Sequence, residues 1–430
     1  MITIHFPKWI KSWIWEIEIY IMRSFITLYT VIMTIIQRSY LQKLINVIGT
    51  SDIKVITWVR RSWKSELLIA FKKYLDDTII DSNIIDINFS DYQYKSLRNA
   101  DELYKFVESK YDSLKQNFLL IDEVQMCDGF EDVINSFHNS KKYDIYLTWS
   151  NAFLSSSDLA TLFTWRTFEI SIFPFSFQEF LKYYKYDDLD LAFWEFIDKG
   201  WMAWSYQYET MDEKNDYIKW IYETLIRRDI INKYHIKYWE LLDNITKYLM
   251  DNISNITTIR KITNELKSKW TPINHKTISS YIQYLCNAFI FYKIKRYDIH
   301  WKRYLSMQDK YYLVDHKFRY AINWNKNQDI WRVYENIVAI ELLRRWYEIY
   351  VWVLHNKEID FVAMKRDEVI YIQVSDNIND EKTFQREITP LLQIRDAYPK
   401  ILIARTRQST YQHDGVQIID IARWLNQSEI

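Results

Sequence analysis

From residue 53 onward, short and largely apolar runs alternate with stretches in which apolar positions recur every three or four residues. The runs of strand length lie at residues 53–57, 84–89, 118–121 and 144–148. Segments with helical periodicity separate them. This alternation predicts an α/β fold whose core is a parallel sheet covered by helices on both faces.

Further along, the pattern becomes mainly helical between residues 216 and 297. Residues 252–297 have the order helix, turn, helix and then β-hairpin, which predicts a winged helix. Its second helix would begin at His275 and Lys276. The side chains expected to face outward from it are Thr277, Ser279, Ser280 and Gln283. Such a face suits either DNA in the major groove or a protein partner.

Residues 309–430 return to alternating strands and helices, which predicts a second α/β unit. At the other end of the chain, an apolar stretch from Ile17 to Ile36 approaches membrane-spanning length but contains Glu18 and Arg23. A single spanning helix is the alternative interpretation. We expect instead that residues 1–33 lie upstream of the true start, because Met33 directly precedes an amphipathic helix, and we expect no membrane association.

The candidate chemistry begins where the first strand ends. The phosphate-binding pattern G-x-x-x-x-G-K-[ST] follows that strand and precedes a helix, but tryptophan stands at both glycine positions. The predicted ATP-binding residues are Trp58, Val59, Arg60, Arg61, Ser62, Trp63, Lys64 and Ser65. Lys64 would contact the β- and γ-phosphates, and Ser65 would bind Mg²⁺.

Indole rings at these two positions conflict with phosphate binding. The loop must wrap the phosphates with successive N–H groups, which needs glycine conformations and a close approach of the backbone. The chain has 19 tryptophans and only 4 glycines, whereas about 7% glycine is usual. Some bacterial lineages read UGA as glycine, and translating such a gene with UGA as tryptophan gives this composition. We favour that hypothesis for Trp58 and Trp63; the alternative is genuine tryptophan with loss of ATP binding.

Acidic residues follow the third apolar run. Asp122 would hold Mg²⁺ at the end of this strand, and Glu123 would polarise the attacking water, as in a Walker B pattern. After the next strand, Asn151 or Ser150 would sense the γ-phosphate, or the serines at 155–157 would cap the following helix. Arg166 is a candidate to compensate phosphate charge, but an ordinary surface arginine is the favoured interpretation.

Composition narrows the function classes only a little. The 56 basic and 56 acidic residues balance, so there is no global polycationic character that would indicate nucleic-acid binding. Cys127 and Cys286 lie far apart without metal-ligand spacing. This pattern excludes a disulfide scaffold and fits the reducing cytoplasm.

Together these segments resemble the bacterial and archaeal AAA-type ATPases that carry a DUF4143 domain at the C-terminus. The resemblance extends from about residue 35 to the C-terminus and implies a P-loop fold that binds ATP and Mg²⁺. In that family glycine is frequent where this chain has Trp324, Trp331, Trp346 and Trp352, although any one of these alone is also compatible with a core or interface aromatic residue. The segments that carry the resemblance are Val55-Ile-Thr-Trp-Val-Arg-Arg-Ser-Trp-Lys-Ser65, Leu119-Leu-Ile-Asp-Glu-Val-Gln125, Leu147-Thr-Trp-Ser-Asn151 and Phe173-Pro-Phe-Ser-Phe-Gln-Glu-Phe180.

The C-terminal unit is also similar to the PD-(D/E)XK nuclease fold, in which carboxylates bind Mg²⁺ and a lysine polarises water. Glu335 and Asp360 match the first two acids, but Gln373 and Ser375 replace the acid-x-Lys pair. We therefore expect a nuclease-like shape without activity. The alternatives are residual metal binding through Glu335 and Asp360, an active Mg²⁺-dependent nuclease, or structural roles in which Asp360 caps the hairpin and Glu335 pairs with Arg332.

The predicted function is that of a cytoplasmic AAA-type protein that binds and hydrolyses ATP and recognises DNA or a protein through its C-terminal domains. A homo-oligomer is compatible with this function. If Trp58 and Trp63 are genuine, the alternative is a catalytically dead interaction protein. The predicted regions are an N-terminal extension (1–33), a P-loop ATPase core (34–210), a helical winged-helix domain (211–305) and a DUF4143-like, nuclease-like domain (306–430).

Overall fold

The structure is a computed structural model, and it describes residues 40–58, 64–149, 162–163, 166–266, 274–298, 303–323, 329–354 and 357–427. The predictions for residues 1–33 and for the apolar stretch at 17–36 lie outside the described residues. Within the described ranges, no helix is long and apolar enough to cross a membrane.

The first sheet contains five strands, all parallel, in the order β2-β3-β4-β1-β5. β4 is buried along its whole length, and β3 is buried after its first residue. Burial on both faces explains why these strands are nearly continuous apolar runs. The predicted P-loop parallel sheet is confirmed. Its strands are β1 (Ile53–Trp58), β2 (Ser82–Asn88), β3 (Gln116–Asp122), β4 (Tyr143–Thr148) and β5 (Thr167–Ile172).

Helices cover this sheet. Ser176 and Glu179 form a reciprocal capping box that fixes the start of the helix after β5. Three short 3₁₀ segments accompany the helices, at Tyr92–Leu97, Val124–Met126 and Ala203–Gln207. The α-helices of this part are α1 (Gln42–Asn46), α2 (Lys64–Thr78), α3 (Ala100–Ser109), α4 (Phe130–Ser140), α5 (Phe177–Tyr184) and α6 (Leu189–Lys199).

A helical part follows, with a hydrophobic cluster of its own. Its first helix begins with a capping box between Thr210 and Glu213 and continues into a π-helical segment, Leu225–Asn232. The helices are α7 (Met211–Thr224), α8 (Trp239–Asp251), α9 (Ile259–Leu266), α10 (His275–Asn287) and α11 (Lys317–Asn323).

The second sheet has eight strands in the order β12-β13-β11-β10-β9-β8-β6-β7. The predicted hairpin around Asp360 is present as the antiparallel pair of β9 and β10. The helices of this part are α12 (Ile330–Arg344), α13 (Glu381–Leu392) and α14 (Ile421–Leu425). The strands are β6 (Phe291–Asp298), β7 (Arg303–Leu313), β8 (Glu348–Leu354), β9 (Lys357–Lys365), β10 (Glu368–Ser375), β11 (Lys400–Ala404), β12 (Tyr411–His413) and β13 (Val416–Asp420).

The hairpin of β6 and β7 is the predicted wing, and it is joined to the second sheet. β6 pairs with β8 in parallel where Arg296 lies opposite Val351. Residue 305, the predicted end of the winged-helix domain, falls inside β7. The helices α9 and α10 precede the hairpin as expected, and assignment of this part as a winged helix stays a prediction.

One hydrophobic cluster is shared by the first sheet, its helices and the second sheet. The rings of Phe193 in α6 and Tyr334 in α12 pack edge to face with centroids 5.4 Å apart. Arg405 forms ion pairs with Asp190 of α6 and Asp420 at the end of β13. The P-loop core and the C-terminal sheet are therefore packed directly against each other, although the helical part separates them along the chain.

The link between α6 and the helical part is held by a buried carboxylate. One oxygen of Asp315, Oδ2, accepts the N–H groups of Trp201 at 2.7 Å and Met202 at 3.0 Å, and Oδ1 accepts that of Lys317 at 2.9 Å. Burial raises the pKa of Asp315 to about 6. Gly200 makes this turn with φ of +74°, where an added Cβ would collide with Lys317.

We expect Gly200→Ala to destabilise the protein by about 2–5 kcal/mol, because it combines a left-handed conformation with a collision in packed surroundings. Gly49→Ala is the matched control: φ at Gly49 is +76°, and nothing lies within 4 Å of its added Cβ. Its cost should stay at about 1–2 kcal/mol, which is the left-handed strain alone. Urea unfolding of both variants measures the difference, and equal losses would contradict the proposed collision.

Candidate functional site

Three strand ends meet at the carboxyl edge of the first sheet. β4 lies between β1 and β3, so Thr148 at its end lies between the start of the predicted phosphate loop and Asp122. Ligands of open parallel sheets bind at this edge. The sheet order therefore gathers residues that are about 25 to 90 positions apart along the chain.

Asp122 is the centre of this group and is only 4% exposed. Its Oδ2 accepts a hydrogen bond from Ser65 Oγ at 2.8 Å. Its Oδ1 accepts another from Thr148 Oγ1. One buried carboxylate thus joins the first turn of α2 to the ends of β3 and β4, and two hydroxyl donors compensate its loss of hydration.

Glu123 follows directly and has a left-handed backbone, with φ of +57° and ψ of +47°. Its N–H donates to Thr148 Oγ1 at 3.1 Å, and its carboxylate accepts from Gln125 Nε2. A left-handed conformation costs a non-glycine residue about 1–2 kcal/mol. Such strain at the end of a strand is a feature of functional sites, and here it aims the Glu123 side chain away from the strand axis.

The oxygens at this edge suit Mg²⁺. Ser65 and Asp122 offer a hydroxyl and a carboxylate at adjacent positions, which are the hard ligands that Mg²⁺ uses when it keeps several waters and bridges phosphates. In the described part of the chain, no group of three or more His, Cys, Asp or Glu side chains could hold a metal by itself. A cation here would thus depend on nucleotide oxygens as well.

Most of the predicted phosphate-binding loop lies outside the residues that the structure describes. Trp58 ends β1 and Lys64 begins α2, but their side chains, and all of Val59, Arg60, Arg61, Ser62 and Trp63, lie outside the described residues. The same holds for the predicted sensor Asn151. The strand, the loop position and the helix nevertheless follow one another in the predicted order.

The structure excludes the candidate role of Arg166 in compensating phosphate charge. It lies at the amino end of β5, where its carbonyl accepts from Ile53 N, and its guanidinium donates to Asn139 at 2.8 Å. Asp122 and Thr148 lie at the opposite edge of the sheet, because all five strands run in the same direction. Arg166 therefore does not reach the phosphate site of its own chain, and the favoured interpretation as a surface arginine is correct.

Thr148 is the functional residue that sequence reasoning missed. It is the last residue of an otherwise buried strand, and it was treated as part of that strand. Its polar side chain at a strand end was a usable signal. The decisive fact, that β4 is inserted between β1 and β3, is visible only in the sheet order.

A second polar group lies in the C-terminal part, where the structure brings together all four predicted nuclease-like positions. Glu335 projects from α12, Asp360 from β9, and Gln373 and Ser375 from β10, and all four line one cavity of about 480 Å³. Lys310 of β7 lies among them and was not predicted. The alternative pair of Glu335 with Arg332 is wrong, because Glu335 pairs with Lys310 at 2.7 Å and Arg332 pairs with Asp329. Asp360 accepts from Val374 N of the partner strand of the hairpin at 2.9 Å, which agrees with a role in capping the hairpin.

The tryptophan at position 346 occupies a typical glycine conformation. α12 ends in a Schellman motif in which Tyr347 N donates to Leu342 O and Trp346 N donates to Leu343 O, both at 3.0 Å. Trp346 is the left-handed residue of the motif, with φ of +67°. Glycine is the usual residue there, and a bulky side chain is an outlier. By contrast, Trp424 is fully buried under the Arg345 guanidinium, as expected of a genuine tryptophan.

Comparison with known families supports the site on the first sheet. Residues 50–181 match the AAA_14 family, described as an AAA domain. Residues 191–329 match a domain of unknown function, DUF8612. The first match contains the predicted loop, Asp122, Glu123 and Thr148.

An uncharacterized protein of Haemophilus influenzae is 37% identical over 399 residues, which cover 91% of this chain and 98% of that protein. The chain belongs to this family of AAA-domain proteins. An uncharacterized protein of Methanocaldococcus jannaschii is 26% identical over 355 residues, or 79% of this chain and 77% of that protein. Both of these proteins therefore match this chain over most of its length.

The solved structures similar to this AAA-domain protein include Aeropyrum pernix ORC1 in complex with DNA, with a TM-score of 0.32 and 9% identity over 67% of this chain and 92% of that one. AMPPCP-bound DnaA from Aquifex aeolicus has a TM-score of 0.27 and 16% identity, over 56% and 84% of the two chains. Similarity at this level says nothing about ligands or partners of the present protein.

The matched families change one expectation. The AAA assignment is confirmed, whereas the family that matches residues 191–329 is DUF8612 and not the expected DUF4143. DUF8612 begins in α6 and ends just before α12, so it spans the helical part together with the β6–β7 hairpin. The DUF4143 and nuclease-like assignments of the C-terminal sheet stay predictions.

The positive φ of Trp346 allows a test of whether position 346 prefers glycine. Trp346→Gly and Trp346→Ala both remove the indole and its contact with Lys43, so they differ only in the Cβ atom at a positive φ. We expect the glycine variant to be more stable than the alanine variant by about 1 kcal/mol. Thermal unfolding compares the two, and an alanine variant as stable as the glycine variant would contradict this assignment.

Proposed function

We propose that this AAA-domain protein is a cytoplasmic ATPase that binds ATP with Mg²⁺ and hydrolyses it. Lys64 would contact the β- and γ-phosphates, and Ser65 and Asp122 would hold Mg²⁺. Glu123 would position the attacking water. The bound cation would neutralise phosphate charge as bond cleavage begins.

The observation that carries this proposal is the hydrogen-bonded group of Ser65, Asp122 and Thr148. Ser65 follows Lys64 in the first turn of α2, Asp122 ends β3 and Thr148 ends β4. The three residues meet within hydrogen-bonding distance at the ligand edge of a parallel sheet. If Asp122 had only a structural role, it would not need to lie beside the start of α2, which begins with Lys64 and Ser65. The helix N-terminus adds a favourable field for phosphate.

ATP binding also requires glycine at positions 58 and 63, and we propose that both are glycine positions read as tryptophan. The left-handed Schellman residue Trp346 supports this, because it shows tryptophan at a third position where glycine is expected. If both residues are genuine tryptophan, the fold remains but the nucleotide does not bind. The protein would then act as an interaction module without catalysis.

We further propose that the helical part and the C-terminal sheet contact the partner that the ATPase controls. The shared hydrophobic cluster supports this coupling, since the ring of Phe193 in α6 packs against Tyr334, next to Glu335. A shift of α6 would therefore be transmitted to α12 by direct contact.

DNA and a protein remain the two partner classes. The exposed face of α10 is polar and begins with His275 and Lys276, followed by Ser279 and Gln283. Thr277 and Ser280, which were expected to face outward, are half-buried. Lys293 on β6 is exposed and pairs with Asp309 at 2.9 Å. Arg260 and Lys261 of α9 are exposed as well, so this surface suits either partner class.

The ATPase proposal is tested with the double variant Trp58→Gly/Trp63→Gly. We expect it to bind ATP and release inorganic phosphate in the presence of Mg²⁺. The protein with Trp58 and Trp63 should do neither, because the indoles block the backbone from the phosphates. Titration with a fluorescent ATP analogue and a phosphate-release assay measure the two steps.

Lys64→Ala in the same double-glycine background is the control. It should lose phosphate release, because the point charge on the β- and γ-phosphates is removed. Equal turnover with and without Lys64 would reject the ATPase assignment. If the protein with Trp58 and Trp63 binds ATP as tightly as the double-glycine variant, only the assignment of these two positions as glycine is rejected.

The role of Thr148 is tested in the same background. Thr148→Val removes the hydroxyl that holds both Asp122 and the N–H of Glu123, so we expect turnover to fall about ten- to a hundredfold while ATP affinity changes little. Thr246→Val is the matched control, because Thr246 is fully buried in the helical part and its hydroxyl donates to the local carbonyl of Leu242. Similar turnover of the two valine variants would argue against a positioning role for Thr148.

A further inference from the structure

The cavity in the C-terminal part has walls from five elements of the second sheet region and one loop of the helical part. The five elements are α12, α13, β7, β9 and β10, and the loop is formed by residues 254–256. Its polar lining includes three carboxylates that converge on one point: Glu335 from α12 and Glu358 and Asp360 from β9. Glu335 and Asp360 are buried and Glu358 is partly exposed, and their convergence favours a cation between them, because like charges repel strongly where water is excluded.

Lys310 supplies that cation. Its Nζ lies 2.7 Å from Glu335 Oε1 and 3.4 Å from Asp360 Oδ1, and it also contacts Glu358 Oε1. The Lys310 side chain is 3% exposed and that of Glu335 is 2% exposed. A single ammonium therefore lies between three carboxylates contributed by two different elements.

The direction of each pKa agrees with this charge arrangement. Burial alone would lower the pKa of Lys310, but Glu335, Asp360 and Glu358 outweigh it and raise that pKa, so the ammonium stays charged. Burial, followed by the charge of Glu335, raises the pKa of Asp360 well above its ordinary value. The cluster thus retains its cation and tolerates a shared proton on the acids.

The remaining oxygens of the nuclease-like positions are already used within the fold. Asp360 Oδ2 accepts the N–H of Val374 at 2.9 Å, and Gln373 Oε1 accepts the N–H of Asp360 at 3.3 Å. The amide nitrogen of Gln373 donates to Glu387 at 3.0 Å. Over the described ranges, no group of three or more acid, histidine or cysteine side chains could hold a metal ion.

We propose that the ammonium of Lys310 occupies the place of a divalent cation in this nuclease-like cavity, so that the domain folds around an internal, covalently attached cation and takes up no metal. The replacement explains why Gln373 and Ser375 can stand where a metal-binding acid and a water-activating lysine would be needed. Lys310 also joins β7, and through it the helical part, to α12 and β9. The inference does not depend on ATP binding at the first sheet.

The test is removal of the internal cation from the full chain. All variants carry Asp122→Asn, so that the candidate Mg²⁺ site of the first sheet does not contribute. We expect Lys310→Met to bind one Mn²⁺ per chain, measured by the loss of the free Mn²⁺ electron paramagnetic resonance signal, and to gain a few degrees in Tm with MnCl₂, on the order expected for a ligand that binds only the folded state. The chain with Lys310 intact should show neither effect, and adding Asp360→Asn to Lys310→Met should abolish both.

A second variant covers the case in which Lys310→Met does not fold because three unpaired acids remain buried. Lys310→Met/Glu335→Gln restores the net charge of the original cluster and leaves Glu358 and Asp360 as ligands. We expect it to bind Mn²⁺ more weakly and to lose binding when Asp360→Asn is added. Mn²⁺ binding by the chain with intact Lys310, removed by Asp360→Asn, would overturn the proposal, as would a folded Lys310 variant that binds no Mn²⁺.

Discussion

The hydrophobic cluster shared by the two sheets is the interaction that holds the P-loop core and the C-terminal part together. Phe193 and Tyr334 meet edge to face, and the hydrophobic cluster around them contains residues of both sheets. Close-packed interiors do not deform continuously but change between discrete arrangements. The candidate ATPase site and the Lys310 cavity are therefore built on elements that must repack together if either moves.

Buried charge is satisfied in three different ways around this shared core. Asp122 accepts from two hydroxyl groups, which a metal ion and a nucleotide can replace as ligands. Asp315 accepts from three backbone N–H groups and fixes the turn at Gly200. Lys310 is paired with carboxylates that nothing in the described part of the fold can replace. The first arrangement is suited to exchange of ligands, whereas the other two are suited to holding elements together.

Sequence reasoning was most successful where function depends on neighbours along the chain. The strand ending in Asp122 and Glu123, the helix beginning at Lys64 and the hairpin containing Asp360 all follow from local periodicity, and the structure contains them. For Arg166 the favoured interpretation as a surface arginine is correct and the phosphate role is excluded, because residues just before a strand and residues at its end lie at opposite edges of the sheet. Sequence reasoning missed Lys310, since nothing local distinguishes a lysine in the middle of a hairpin strand from a solvent-exposed one.

The sequence by itself determined the P-loop class of the core and the absence of the acid-x-Lys pair, and it predicted the residues that would contact ATP and Mg²⁺, since each depends on residue type and short spacing. Tertiary structure decided that Thr148 donates to Asp122, that the predicted wing is part of the C-terminal sheet, and that an ammonium lies between Glu335, Glu358 and Asp360. These facts depend on strand order and on packing between segments far apart in the chain. Periodicity reports which face of an element is buried, but not which element buries it.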